Sequence, residues 1–150
     1  MFTFQNTKPY NLPSGCVLEL YKSPSPRQLN RLLSRCNSET YSPKKLALAL
    51  DNSFCNLSIF REQDSQLLAF VRITTDKGLN ANLWDLVAAS GQYQQKFLSV
   101  LVFSALAIIR RDLPGCSVSV AAPTNAIRAL QDEGFIIDPS GIRSMAYRLK

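Results

Sequence analysis

An uncharged run from Phe97 to Ile109, FLSVLVFSALAII, constrains this chain more than any other stretch. A helix that is apolar on every side belongs inside a protein rather than on its surface. It is too short to cross a bilayer, which takes roughly 20 apolar residues. The residues before it complete a unit. Leu83 to Ala89 reads as a buried strand carrying one charge, Asp85, and Ser90 to Lys96 is an amide-rich turn. A core strand thus feeds a core helix. The turn between them aims backbone N–H groups past the strand end, an arrangement that suits phosphate groups.

The rest of the chain supplies partners for that unit. Met1 to Gly15 is polar, with Pro9 and Pro13, and reads as a loosely held lead-in. Cys16 to Tyr21 reads as a first strand. Ser25-Pro26 is an N-cap followed by proline at the first helical position, and predicts a helix to about Cys36 with Leu29, Leu32 and Leu33 on one face. Ser42-Pro43 repeats the signal for a second helix through Leu50. Asn56 to Phe60, Gln66 to Thr74 and Asn82 to Ala89 predict an antiparallel meander, with turns at REQDS and Asp76-Lys77-Gly78. Asp112 to Gly115 stops the central helix. Ser117 to Ala121 is a fifth strand. Thr124 opens a last helix that ends at Gly134, with Phe135 as its apolar follower. Phe135 to Ile137 and Met145 to Leu149 flank a turn at Asp138 to Gly141 and predict a terminal hairpin. This order describes one α+β domain over residues 1–150, with a mixed, mostly antiparallel sheet and helices on both faces.

Composition narrows the chemistry. The chain has no histidine, and its four cysteines, Cys16, Cys36, Cys55 and Cys116, form no CxxC pair, so a metal site of Cys and His is not expected. Without histidine, Ser–His and Cys–His nucleophile couples are excluded. No apolar leader occupies Met1 to Tyr10, which predicts reduced thiols and a cytoplasmic setting. The net charge is +6. It permits anionic cofactors, acidic membrane surfaces or nucleic acid. No Arg/Lys-with-aromatic module points to nucleic acid, and no stretch points to a membrane. Arg27, Arg31 and Arg35 recur every four residues on the first helix. They read either as a solvated face or as a docking strip for an acidic partner.

Three pieces of sequence carry a family resemblance over nearly the whole chain. They are NLWDLV at Asn82 to Val87, AIR at Ala126 to Arg128 followed by Gly134-Phe135, and DPSGIRSM at Asp138 to Met145. With the element order, they resemble the GNAT superfamily of N-acetyltransferases, and most of all its small cyanobacterial and plastid type, which includes plant serotonin N-acetyltransferase-like proteins. The resemblance implies a GNAT-like sheet splayed between strands four and five, with acetyl-CoA in the gap. Its pantetheine arm would pair with the backbone of Leu86, Val87 and Ala88 like an added strand. Its pyrophosphate would rest on the family's motif, which falls on Gln94, Gln95, Lys96, Phe97, Leu98 and Ser99.

The chain departs from the family pattern at several of these positions. Phe97 and Ser99 stand where small residues, glycine above all, are expected. A side chain there competes for the space in which backbone meets phosphate. Lys96 offers a compensating point charge. Leu130 stands where many members carry a proton-donating tyrosine, and Pro123 where an asparagine is expected, with Asn125 close by. Tyr147 and Tyr93 are the other phenols within the pattern's reach. Asp85 reads either as the remaining candidate base, able to take a proton from an ammonium directly or through water, or as a strand-end carboxylate bonded to a backbone N–H or paired to an arginine. Two readings stand side by side. One is acetyl-CoA-dependent transfer to a small-molecule or protein amine, with Asp85 and Tyr147 as the chemical residues. The other is a GNAT-shaped protein without catalysis, acting as a binding or regulatory module, alone, as a homodimer or with a protein partner.

Overall fold

The computed structural model describes residues 10–143 and 145–147. Five strands form a single sheet in the order β1-β2-β3-β4-β5. They are β1 (Cys16–Leu20), β2 (Cys55–Arg61), β3 (Gln66–Thr75), β4 (Asn80–Ala88) and β5 (Ser117–Val120). The first four pair antiparallel in a meander, and β5 joins β4 in parallel. A parallel neighbour needs a crossover, and helix α3 (Gln94–Asp112) supplies it.

Helices cover both faces, as expected. Helices α1 (Pro26–Arg35) and α2 (Pro43–Asp51) sit on one side, where Leu29, Leu32, Leu33, Leu46 and Leu50 pack with Phe70 and Val87. Both start as their sequences predict. Ser25 and Gln28 cap each other reciprocally, and Ser42 accepts from the Lys45 N–H at 3.3 Å. Each such cap is worth about 1 kcal/mol. Helix α3 and the short α4 (Ile127–Asp132) cover the opposite side. The uncharged run is the buried middle of α3, with Leu98, Leu101, Val102 and Ala105 fully enclosed. Its charged ends make it longer than the uncharged run alone. Each large side chain buried here stabilises the fold by about 1.5–3 kcal/mol.

The terminal hairpin is not formed among the described residues. Neither residues 135–137 nor 145–147 are strand, while Arg148 and Leu149 lie outside the described residues. The expected turn holds three positive-φ residues, Asp138 at 46°, Ser140 at 55° and Gly141 at 73°, around Pro139 in a 3-10 turn. That path bends the chain without bringing its flanks into register. Ile136, Ile142, Met145 and Tyr147 are exposed as a result.

Candidate active site

The site begins where β4 and β5 part. They pair from Asn80↔Ser117 to Leu83↔Val120 and no further. β5 ends there because the chain runs into Pro123, which has no N–H to extend a ladder, and then into a 3-10 turn at Thr124–Ala126. β4 continues to Ala88 with β3 on one flank only. Leu86, Val87 and Ala88 therefore offer main-chain groups to the gap while their side chains stay buried. An extended ligand can use such an edge as a strand would.

A bulge lies within this free edge. Arg72 pairs with Trp84 and Phe70 with Val87, so Asp85 and Leu86 together oppose Val71 alone. Asp85 takes a left-handed backbone, φ 54°, which aspartate tolerates better than most residues. Its Oδ2 accepts from Arg72 Nε at 2.6 Å, and both side chains are largely buried, at 13% and 19% exposure. The Arg72 guanidinium lies 5.9 Å from the centre of the Trp84 ring, and Trp84 Nε1 donates to Thr74 Oγ1 at 2.8 Å.

Past Ala88 the amide-rich turn leads into α3. Gly91, at φ 141°, makes a bend that suits glycine. The Gln94 N–H goes to Gly91 O at 3.2 Å and the Phe97 N–H to Tyr93 O at 2.9 Å. Between them lie the amides of Gln95 and Lys96, at the end of a helix whose first N–H groups lack intrahelical acceptors. The Gln94 side chain donates to Ala88 O at 3.0 Å, and Cys36 Sγ reaches the same oxygen at 3.4 Å. Burial pushes the Cys36 thiol up, which keeps it a neutral donor. Gln95 Nε2 donates to Asn125 O at 2.8 Å, linking α3 to the segment beyond β5.

Phe97 turns inward. Its ring is 5% exposed and belongs to the core with Leu98 and Leu101. Leu98 is wholly buried, Ser99 is half-buried and Lys96 is exposed. A cavity of about 420 Å³ lies against this turn, walled by Ser90, Gly91 and Gln92 and bordered by Arg35 and Arg61. Arg61 is already held by Asp64 at 2.7 Å. Arg27, Arg31 and Arg35 all face solvent along α1.

The expected residues are thus only partly assembled. Gln94 reaches Ala88 O and Gln95 reaches Asn125 O, which ties the turn to the β4 edge and to the segment beyond β5, and Asp85 stands on the part of β4 that β5 does not pair. Tyr147 stands apart, 89% exposed on the last described segment. Tyr93 is half-exposed against Phe97, with ring centres 6.2 Å apart. Leu130 is buried in the core. Arg72 was missed by the sequence reading, yet a signal existed. It is the one charge in the strand QLLAFVRITT, as Asp85 is the one charge in NANLWDLVA. Two lone opposite charges in adjacent buried strands call for each other.

No family model matches the chain. Among solved structures it resembles a Staphylococcus aureus protein of unknown function described as a probable acetyltransferase. The TM-score is 0.77 at 17% identity, over 89% of this chain and 100% of that one. A GNAT family acetyltransferase from Streptococcus pneumoniae superposes with a TM-score of 0.63 at 11% identity, over 90% of this chain and 98% of that one. By sequence the chain is 31% identical over 104 residues to the uncharacterized N-acetyltransferase ycf52 of Gracilaria tenuistipitata, covering 68% of this chain. The chain has the GNAT fold. It is also 26% identical, over 90% of its length, to the Arabidopsis thaliana protein named GCN5-related N-acetyltransferase 2, chloroplastic. It spans 57% of the length of the Gracilaria relative and 60% of the Arabidopsis one.

The GNAT fold accounts for the parting of β4 and β5 as a built feature. Both flanking elements are well packed, β4 against β3 and α4 against α3, so the gap is not a frayed edge. Among the described residues no helix is long and apolar enough to cross a membrane.

Proposed function

We propose that the chain is an acetyl-CoA-dependent N-acetyltransferase acting on a primary amine by direct transfer. The observation that carries this reading is the one-sided β4 edge over residues 84–88, beside the N-terminal turn of α3. The residues fit the cofactor at both ends. The edge offers main-chain donors and acceptors to an amide-bearing arm. The amides of Gln95 and Lys96, with the Lys96 charge, suit a diphosphate, and the inward Phe97 ring leaves their side of the turn to the main chain. Leu98 and Ser99 continue that turn as helix, with Asn125 opposite.

Acetyl-CoA would supply the thioester carbonyl. The chain's own residues do the rest. The bulged backbone at Asp85 and Leu86 is the candidate for polarising that carbonyl through its amides. Asp85 has Oδ2 on Arg72, which leaves Oδ1 for the incoming ammonium or a bridging water. One proton would pass from the ammonium to Asp85 to free the amine; as the N–C bond formed and the C–S bond broke, the second nitrogen proton would pass, directly or through water, to the departing thiolate. Holding both reactants in one gap supplies much of the acceleration, with no covalent enzyme intermediate.

The likeness to ycf52 and to an Arabidopsis protein with a chloroplastic name supports placing the chain near the plastid and cyanobacterial type. The second reading, a non-catalytic binding or regulatory module, is favoured by Leu130, an aliphatic core residue where many relatives would carry a proton donor. Calorimetric titration with acetyl-CoA and with CoA, followed by transfer assays on a panel of primary amines, separates the two. Saturable heat and acetylated amine are expected. No heat at millimolar cofactor would end the enzyme reading.

A further inference from the structure

We propose that Arg72 is a positioning residue for this transfer: it fixes the Asp85 carboxylate, and the left-handed bulge that carries it, at the mouth of the β4–β5 gap. The inference rests on the acetyltransferase reading above. Asp85 is the extra residue of the bulge, and it holds a positive φ that an ordinary strand residue would leave for the extended region. Something must hold it there. Gly, the usual solution, is absent, and the contact that reaches Asp85 from the facing strand is the 2.6 Å bond from Arg72. Charge-assisted bonds of this length are among the stronger ones available to a side chain.

Arg72 is itself held on two sides. Its Nε is on the carboxylate, and its guanidinium carbon lies over the Trp84 ring, 5.9 Å from the centre. The ring in turn is anchored through Nε1 to Thr74 on the same strand as Arg72. Two consecutive β4 residues, Trp84 and Asp85, are thus braced by two β3 residues, Arg72 and Thr74. The brace stands where β4 first loses β5, one residue past Leu83. The register leaves Asp85 no alternative cation: among the described residues, no other ion pair reaches it. The pair is mostly enclosed, so water screens it weakly, and removing one member leaves the other charge uncompensated. A displacement of about 1 Å in a reacting group can cost about 100-fold in rate. A carboxylate on a strained, one-residue bulge would drift by that much once released.

The test compares the parent protein with Arg72→Leu and Arg72→Lys. Initial rates are measured with acetyl-CoA and with butylamine, phenethylamine and a lysine-containing peptide as acceptors. Acetyl-CoA affinity is measured by calorimetry, and the Arg72→Leu variant is crystallised. In Arg72→Leu, kcat should fall about 100-fold while the KM for acetyl-CoA stays within about threefold. Arg72→Lys should recover about tenfold of that loss, since an ammonium can still reach the carboxylate. The crystal structure should show the Asp85 carboxylate displaced in an otherwise unchanged sheet. An unchanged kcat in Arg72→Leu would overturn the proposal, and so would Asp85 keeping its positive φ and side-chain position there. Should Arg72→Leu fail to fold, Arg72→Lys decides by its kcat, which must fall below the parent's with acetyl-CoA affinity retained. If the parent neither binds acetyl-CoA nor acetylates any amine, the acetyltransferase reading falls first. The structure of the variant then judges the hold on Asp85 alone.

Discussion

The Gln95 side chain donates to the main-chain carbonyl of Asn125 across 2.8 Å, joining the first turn of α3 to the chain just beyond β5. These two residues sit on opposite walls of the gap. The bond is exposed, so its net worth is about 1 kcal/mol. Gln95→Ala should lower the melting temperature by about 2–4 °C, read by scanning calorimetry. An unchanged melting temperature would show the bond to be idle in solution.

Replacing Asp85 by Asn keeps the side chain's shape and tolerates the same left-handed backbone, but removes the base. Turnover should fall by about 100-fold or more. Acetyl-CoA affinity, measured calorimetrically, should stay near the parent's. Undiminished turnover would remove Asp85 from the chemistry.

Phe97 carries core packing at the start of α3. Truncation to Ala should cost about 3 kcal/mol, the low end for a buried phenylalanine because its ring also borders the cavity. Urea unfolding measures this. Acetyl-CoA binding by the folded variant should be no tighter than the parent's, since the ring is already buried in the core. Tighter binding would mean that the ring obstructs the phosphate after all.

Asp76 is wholly solvent-facing, yet the N–H groups of Asn80, Gly78 and Leu79 hold its carboxyl down at about 2. In the unfolded chain an aspartate titrates near 3.9, at about its ordinary value. The turn therefore contributes its full stability above about pH 4, and loses it as the pH falls toward about 2. Asp76→Asn should flatten that part of the plot of melting temperature against pH. Asp64 and Asp112, both held low by arginine partners, leave a residual slope.

Burial pushes the Cys55 thiol up, and that side chain is 2% exposed. Native protein treated with iodoacetamide at about pH 8 should be labelled last at Cys55, by peptide mass spectrometry. Denaturation in urea should erase the difference. Early labelling of Cys55 in the native state would mean that the β2 region opens readily.

The parts legible in advance were those written in local chemistry. Ser25-Pro26 and Ser42-Pro43 announce their helices because capping needs residues only three positions apart. The apolar run in β3 and the uncharged middle of α3 announce burial in the same direct way. The site resisted because its geometry depends on distant pairs. The bulge at Asp85 follows from Arg72, thirteen residues away, and the tie across the gap from residues thirty apart. The inward turn of Phe97 is a rotamer decision made by the whole core. The terminal hairpin was over-read: Asp138 to Gly141 has a turn's composition, but the described residues on either side of it form no strand.

The four-residue length of the β4–β5 ladder has a further consequence for selectivity. A slot bounded by one naked polypeptide rail admits guests by outline before it reads any functional group. On the acetyltransferase reading, what slides in lies extended along residues 84–88 and alternates donors with acceptors at peptide-like intervals.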